Sequence, residues 1–270
     1  MVLAVIGTGN MGRALAEGLV RTQTLEPRQI RLHDADQAKA QALAKSLGAT
    51  VCCAPEDAVT GADTILIAVK PPVVPAVLSR IRPLLDTQLV ISIAAGVTLA
   101  SLRALAGPAI ALARVMPNTP ALVGAGVSAV CFDQADAGQQ SLVKGLLSAC
   151  GRVYEVPESA LDAVTGLSGS GPAFIMLVIE ALADGGVRNG LARDMALEMA
   201  AMTVYGAASL VLETKTHPAV LKDQVCSPGG TTIAAVASLE ADGLRSALIR
   251  AVDAATRRAA ELRQKAGPNA

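Results

Sequence analysis

The chain opens on an apolar run, Val2–Ile6, that stops at Gly7-Thr8-Gly9-Asn10-Met11-Gly12 and is followed by Ala14, Leu15, Gly18 and Leu19 at helical spacing. Strand, glycine turn and helix in that order leave few folds open. In a dinucleotide-binding turn Gly7 permits the tight bend, Gly9 lets a pyrophosphate approach the backbone, and Gly12 lets helix and strand pack closely. Thr8, Asn10 and Met11 ride on the same turn and join the glycines as cofactor-binding candidates. The glycine spacing alone also fits a plain strand-to-helix turn, so the surrounding pattern has to decide.

That pattern is an alternation. Strand-like runs at Gln29–His33, Ala49–Cys53, Thr64–Val69, Leu89–Ile93 and Ala109–Val115 are mostly separated by helical stretches such as Ala38–Leu47 and Pro75–Leu84. Such alternation predicts a parallel sheet covered by helices, an α/β fold of the Rossmann type. Ligands of these sheets bind beyond the carboxyl ends of the strands. Ala68-Val69-Lys70-Pro71 and Ala94-Ala95-Gly96 therefore join the cofactor candidates, although Lys70 also reads as a surface lysine. The second strand ends at Asp34, about 20 residues after Gly12, where an acid accepts hydrogen bonds from a ribose and repels a 2′-phosphate. NADH is thus slightly favoured over NADPH. Arg31 or Lys39 nearby leaves room for the phosphate, and a solvated loop carboxylate is the bland alternative. Pro117-Asn118-Thr119-Pro120 is expected not to be helical. Gly126–Phe132 and Gly151–Val156 extend the sheet, and the first domain, residues 1–157, ends near Pro157.

Residues 158–270 read as an all-α domain. Pro172–Asp184 and Met195–Leu212 are apolar nearly all round, which demands burial on every side, more than a small domain supplies from its own chain. An interlocked homodimer is expected. The last helix, Leu244–Leu262, carries an apolar stripe opposite arginines and should cover a core rather than fill one.

Composition narrows the partner. Lys plus Arg and Asp plus Glu stand at 23 each, and there are two Phe, two Tyr and no Trp. No basic excess or stacking surface for nucleic acid, or basic excess for an anionic membrane, is present, so a small molecule is expected. The five cysteines are an odd number without a Cys-x-x-Cys pair, which argues against a disulfide framework or a metal site; they read as small apolar fillers. The first residues lack a signal-peptide pattern, and the longest apolar run is cut by Glu180, so no membrane span is expected and the cytoplasm is the expected location.

The second domain carries the chemistry. Ser227 and Pro228 break the chain, Gly229 and Gly230 carry no side chain, and Thr231 and Thr232 lead into the apolar Ile233-Ala234-Ala235-Val236. This reads as a helix start able to hold a carboxylate, with an ordinary Thr N-cap as the alternative. Around Ser168 and Ser170 the Gly-x-Ser-x-Gly elbow of hydrolases fails, and with only His33 and His217 in the chain a Ser–His pair is not supported. Alcohol oxidation wants a His, Lys or Tyr base. No lysine lies between Lys144 and Lys215, which counts against a 3-hydroxyacid dehydrogenase. Reducing a C=N bond demands less, because the imine nitrogen is itself basic.

Asp162 to Pro172, Ala181 to Val187, His217-Pro218 and Leu221 through Ile233 closely resemble pyrroline-5-carboxylate reductases, as do Ala68–Pro71, Ala94–Gly96 and Met116–Pro120. The resemblance spans nearly the whole chain. It implies NAD(P)H-dependent reduction of 1-pyrroline-5-carboxylate to proline, the last step of proline biosynthesis, in a dimer that in the family can assemble further into a decamer. It also implies that the substrate carboxylate sits on Ser227, Gly229, Gly230 and Thr231, and that Thr232 bonds the ring nitrogen as the catalytic candidate. Glu158 matches another substrate-site residue, and Gln224 stands where an asparagine touches the cofactor. Two departures are visible: relatives often have a small polar residue at Asp34, and a cofactor-contacting asparagine of some relatives falls near Ala54-Pro55-Glu56. A dimeric nucleotide-binding regulator without turnover is the competing class.

Overall fold

The computed structural model describes residues 1–265; the last five residues of the expected second domain lie outside them. The described chain divides into two compact units, Met1–Ser170 together with the chain from Asp253, and Gly171–Val252.

The first unit is built on a sheet. Its elements are β1 (Leu3–Ile6), α1 (Asn10–Arg21), β2 (Ile30–His33), α2 (Gln37–Leu47), β3 (Thr50–Val51), α3 (Pro55–Val59), β4 (Thr64–Ile67), α4 (Val74–Ile81), β5 (Leu89–Ser92), α5 (Leu99–Ala106), β6 (Ala111–Met116), β7 (Gly126–Asp133), α6 (Ala137–Ser148), β8 (Gly151–Glu155) and α7 (Leu161–Val164). The strand order is β3-β2-β1-β4-β5-β6-β7-β8. All residues of β1, β4 and β5 are buried, as expected of parallel strands covered on both faces. Leu15, Leu19, Leu43, Val143 and Leu146 cover one face; Val59, Leu78, Ile81 and Leu102 cover the other.

Two local readings are corrected. The parallel sheet stops at β6, since β7 runs antiparallel to it, with Met116 opposite Ala129 and Leu112 opposite Asp133. No crossover helix lies between these strands, so the chain can only reverse. Within that reversal Thr119–Val123 forms a short 3₁₀ turn containing Pro120, where extended or turn geometry without any helix was expected. Near a helix start the missing proline N–H costs nothing, because that group has no helical partner there.

The second unit is helical: α8 (Gly171–Arg188), α9 (Arg193–Thr214), α10 (Pro218–Val225), α11 (Thr231–Ala241) and the first part of α12 (Leu244–Lys265). Helices α8 and α9 pack through small residues, with Ala183, Ala196 and Ala200 buried and a methyl group on Gly186 reaching within 3.1 Å of Ala196 Cβ. Their other faces are bare: Met176 is 63%, Leu177 65% and Tyr205 65% exposed. Contrary to the reading that Glu180 interrupts the apolar stretch, Glu158–Arg188 and Arg193–Thr214 are each long and apolar enough by length and composition to cross a membrane. One acid does not break a helix whose neighbours are Ala, Leu and Ile. Along α12, Leu244, Leu248 and Leu262 are exposed while Ala255 and Ala259 are half-buried, so only part of the expected stripe covers anything within this chain.

Candidate active site

The strand ends of the first unit form one line. Ile6 pairs with His33 and with Ile67, and Ile67 with Ser92, so the segments following β1, β2, β4 and β5 leave the sheet along the same edge. The chain runs from β1 outward through β2 and β3, then returns to β4 on the other side of β1. This reversal of strand order is where a crevice opens in such sheets.

The glycine turn fits a pyrophosphate. Gly7 has φ +104, and a Cβ on it would meet Ala68 O at 2.6 Å; a Cβ on Gly12 would lie 2.1 Å from Gly7 O. Both positions are closed by the fold itself. A Cβ on Gly9 meets nothing within 4 Å, so the backbone at Gly9 is open to approach. Gly9 is also the N-cap of α1, with no side chain capping the helix and no acid in its first turn. The free N–H groups and the helix dipole favour an anion there.

Asp34 is bound to the same turn. Its Oδ2 accepts from the Thr8 N–H at 2.6 Å and the Thr8 hydroxyl at 3.0 Å, and Oδ1 accepts from the Asp36 N–H at 2.9 Å. Burial raises its pKa, but these hydrogen bonds and the Lys39 charge outweigh that and hold the carboxyl below its ordinary value. The cations considered as phosphate partners are engaged elsewhere: Arg31 donates to the Thr60 carbonyl at 2.5 Å, and Lys39 pairs with Asp36 at 3.2 Å. Glu56, near the position of the missing asparagine, is held by Arg80.

Ala68 continues the ladder, its N–H donating to Ile6 O at 2.8 Å. Val69 is half-buried, Lys70 is exposed, and Pro71 begins a short 3₁₀ turn. Ala94 is buried, while Ala95 and Gly96 form an exposed-to-half-buried turn with Gly96 at φ +80.

Several groups near these strand ends were not read from the sequence. Arg114, in the middle of β6, has a side chain only 6% exposed and donates through Nη1 to Glu158 Oε1 at 2.7 Å. The same oxygen accepts from the Leu99 N–H at 2.7 Å, so Glu158 joins β6, the start of α5 and the chain leaving β8. Asn118, also buried, accepts from the Val127 N–H and donates to the Ser168 carbonyl, at 2.8 and 3.0 Å. The segment Thr165–Gly169 forms a wide helical turn in which the Ser170 N–H reaches Thr165 O. A charged residue inside an apolar strand was the available signal for Arg114; Asn118 between two prolines gave none. Both histidines are bland: His33 is buried against the Cys52 carbonyl, and His217 caps α10 by accepting from Ala219 N–H.

The second unit holds the anion-binding candidate. Gly229 has φ +65, a conformation that glycine alone adopts without strain. A Cβ on Gly230 would lie 2.3 Å from Ser227 Oγ, so Ser227 folds closely over this position and its hydroxyl would have to turn away from any side chain there. Gly230, not a threonine, caps α11, and no side chain accepts from the helix start. The Thr N-cap alternative is therefore not realised, and the first N–H groups stay available to a carboxylate. Thr231 is exposed and Thr232 half-buried in the first turn; Gln224 is exposed near the end of α10.

Of the cysteines, Cys52, Cys131 and Cys150 are buried as expected, whereas Cys53 is exposed and Cys226 half-buried. Burial and the neighbouring Glu158 charge push the Cys131 thiol up to about 11. Among the described residues no group of metal-ligating side chains occurs.

Residues 158–262 match the model of pyrroline-5-carboxylate reductase dimerisation, and residues 2–96 match that of NADP oxidoreductase coenzyme F420-dependent. A pyrroline-5-carboxylate reductase of Synechocystis is 46% identical over 264 residues, 97% of this chain and 98% of the relative. The chain belongs to the pyrroline-5-carboxylate reductase family. The soybean (Glycine max) pyrroline-5-carboxylate reductase is 43% identical over 96% of this chain and 95% of its own length. Among solved structures of the family, that from Coxiella burnetii has a TM-score of 0.91 at 34% identity, covering 96% of this chain and 97% of its own. The Plasmodium falciparum structure, with NADP bound, has a TM-score of 0.88 at 31% identity over 97% and 98%. The family resemblance read from the sequence is thus borne out along nearly the whole chain.

Proposed function

We propose that this chain reduces the C=N bond of 1-pyrroline-5-carboxylate to L-proline with NADH or NADPH, the last step of proline biosynthesis. The observation that carries this is the likeness to named reductases over nearly the full length, joined to a glycine turn whose middle residue faces open space.

The functional division we assign is residues 1–157 for the cofactor and 158–270 for substrate and dimerisation. On the cofactor side Gly9 and the start of α1 hold the pyrophosphate through backbone N–H groups. Asp34 takes the ribose hydroxyls and disfavours a 2′-phosphate; with Arg31 and Lys39 otherwise engaged, NADH is the favoured reductant. The reduced nicotinamide, when bound, supplies a hydride. Lys70, Ala94, Ala95 and Gly96 line the crevice toward that end, and the family resemblance makes Gln224 a further cofactor contact.

On the substrate side the uncapped start of α11, with Ser227, Gly229, Gly230 and Thr231, holds the carboxylate. Thr232 donates to or accepts from the ring nitrogen and fixes the face of the imine. Its hydroxyl is too weak an acid to protonate the nitrogen outright; the substrate enters as iminium or takes the proton by way of water, so the site needs orientation rather than a strong base. Glu158, which the resemblance counts among the substrate-site residues, is held in place by Arg114 and the start of α5.

The apolar faces of α8 and α9 that are open in one chain exceed what a soluble monomer normally exposes, and we assign them to the core of a homodimer of a soluble cytoplasmic enzyme, with a decamer as the larger assembly. The test is the loss of NADH or NADPH absorbance on adding 1-pyrroline-5-carboxylate to the purified chain. Turnover faster with NADH is the expected result; no imine-dependent loss with either cofactor would overturn the assignment.

A further inference from the structure

The end of α12 returns to the first compact unit, and its contacts fall at the strand ends. Arg263 Nε donates to Asp162 Oδ2 at 2.9 Å, an ion pair in which Asp162 is only 16% exposed. Beside this pair the α12 backbone reaches the turn after β5: a methyl group on Gly96 would lie 3.6 Å from Leu262 O and 3.7 Å from Arg263 Cα. Between helix and strand ends is a cavity of about 40 Å³, lined by Ala94, Ala95 and Met116 on one side and by Ala259 and Leu262 on the other.

These observations describe one packing of α12 and point to the same place. With Asp34 and Gly9 taking the adenosine and pyrophosphate, the remaining half of a dinucleotide extends over the ends of β4, β5 and β6. We propose that the last turns of α12 form a wall of the nicotinamide end of the cofactor site, and that Asp162 and Arg263 are positioning residues that hold this wall against the Ala94–Gly96 turn. The inference rests on the cofactor reading above. Gly96 carries no side chain with which to anchor its own turn, so the packed helix supplies the restraint. Releasing the helix lowers the fraction of molecules with the turn in its binding arrangement, and the apparent Kd rises by the inverse of that fraction.

The test is a titration of NADH into the full chain, read by cofactor fluorescence and so independent of turnover, with cofactor KM and kcat measured alongside. Because the pair is partly exposed, Arg263→Ala is expected to raise the Kd about threefold to fivefold, the change falling on cofactor KM more than on kcat. Arg263→Lys, and the exchange of Asp162→Arg with Arg263→Asp, are expected to restore most of the affinity. Ala259→Leu, which more than fills the cavity of about 40 Å³ from the wall side, is expected to weaken NADH binding in a chain that still folds, at some loss of thermal midpoint. Folded Arg263→Ala and Ala259→Leu variants with unchanged NADH affinity would overturn the wall alone. No NADH binding by the unaltered chain would overturn the cofactor reading, and the wall with it.

Discussion

Gly9 and Gly12 stand three residues apart in one turn, and the structure gives them opposite reasons for being glycine. Gly9 has φ −65 and ψ −176 as the N-cap of α1, a conformation open to any residue, and a Cβ there meets no protein atom within 4 Å. Gly9→Ala should therefore fold. Alanine is a poorer N-cap than glycine by roughly 0.5–1 kcal/mol, and its stiffer unfolded chain offsets about 0.4–1 kcal/mol of that, so the stability change should be close to zero. The methyl group does occupy the space assigned to the pyrophosphate. Pushing that group off the helix start weakens charge-assisted hydrogen bonds, each worth about 1.5–3 kcal/mol. Losing one outright weakens binding by roughly 10–150-fold. Gly12→Ala behaves otherwise: its Cβ would sit 2.1 Å from Gly7 O, and the helix has to move off the strand at a cost of about 1–3 kcal/mol or more. Thermal melts and NADH fluorescence titrations of both variants separate the two effects. A Gly9→Ala protein that melts normally and binds NADH as well as the parent would refute the reasoning.

Thr232→Ala should fold normally and lose about tenfold or more in kcat, measured by steady-state cofactor oxidation; unchanged kcat removes the hydroxyl from the mechanism. Glu158→Gln leaves the buried Arg114 guanidinium without its counter-charge, and because Glu158 is 33% exposed the loss should be about 1–3 kcal/mol in urea unfolding, less than for a fully buried pair; adding Arg114→Met should recover part of it. In thiol labelling of the native protein, Cys53 and then Cys226 should react, while Cys52, Cys131 and Cys150 stay protected until unfolding. Because the Asp34 pKa is lowered in the fold, its contribution to stability is complete above the unfolded value of about 3.9 and fades as pH falls through the lower folded value. Asp34→Ser should remove that part of the acid limb and shift the kcat/KM ratio toward NADPH by about tenfold, or 1.4 kcal/mol.

What could be read in advance was what short-range patterning determines. The run Val2–Ile6, the glycines and the apolar helix face of Leu15 and Leu19 predict β1, the turn and α1, because each feature acts within a few residues. The same holds for the start of α11, where Ser227-Pro228-Gly229-Gly230 ends the preceding helix and Gly230 opens the next. The parts not read in advance depend on partners distant in sequence. Arg114 looks like an interruption of β6 until Glu158 and Leu99 are seen beside it. The direction of β7 depends on the absence of a helix after β6, and Pro120 sits in a 3₁₀ turn because its missing N–H falls where no helical partner exists. Nothing in Arg263 or Gly96 announces that α12 returns to the strand ends. Cys53 was taken for a small apolar filler like the other cysteines, yet after the edge strand Thr50–Val51 neighbouring residues face opposite ways, so Cys52 is buried and Cys53 exposed.

The most direct test of the account is isotopic. NADH carrying deuterium at the transferable position of the nicotinamide is incubated with the purified chain and 1-pyrroline-5-carboxylate, and the amino-acid product is analysed by mass spectrometry. The account predicts proline with a single deuterium on carbon 5, the former imine carbon. Proline without the label, or labelled cofactor recovered unchanged with no proline formed, would contradict it.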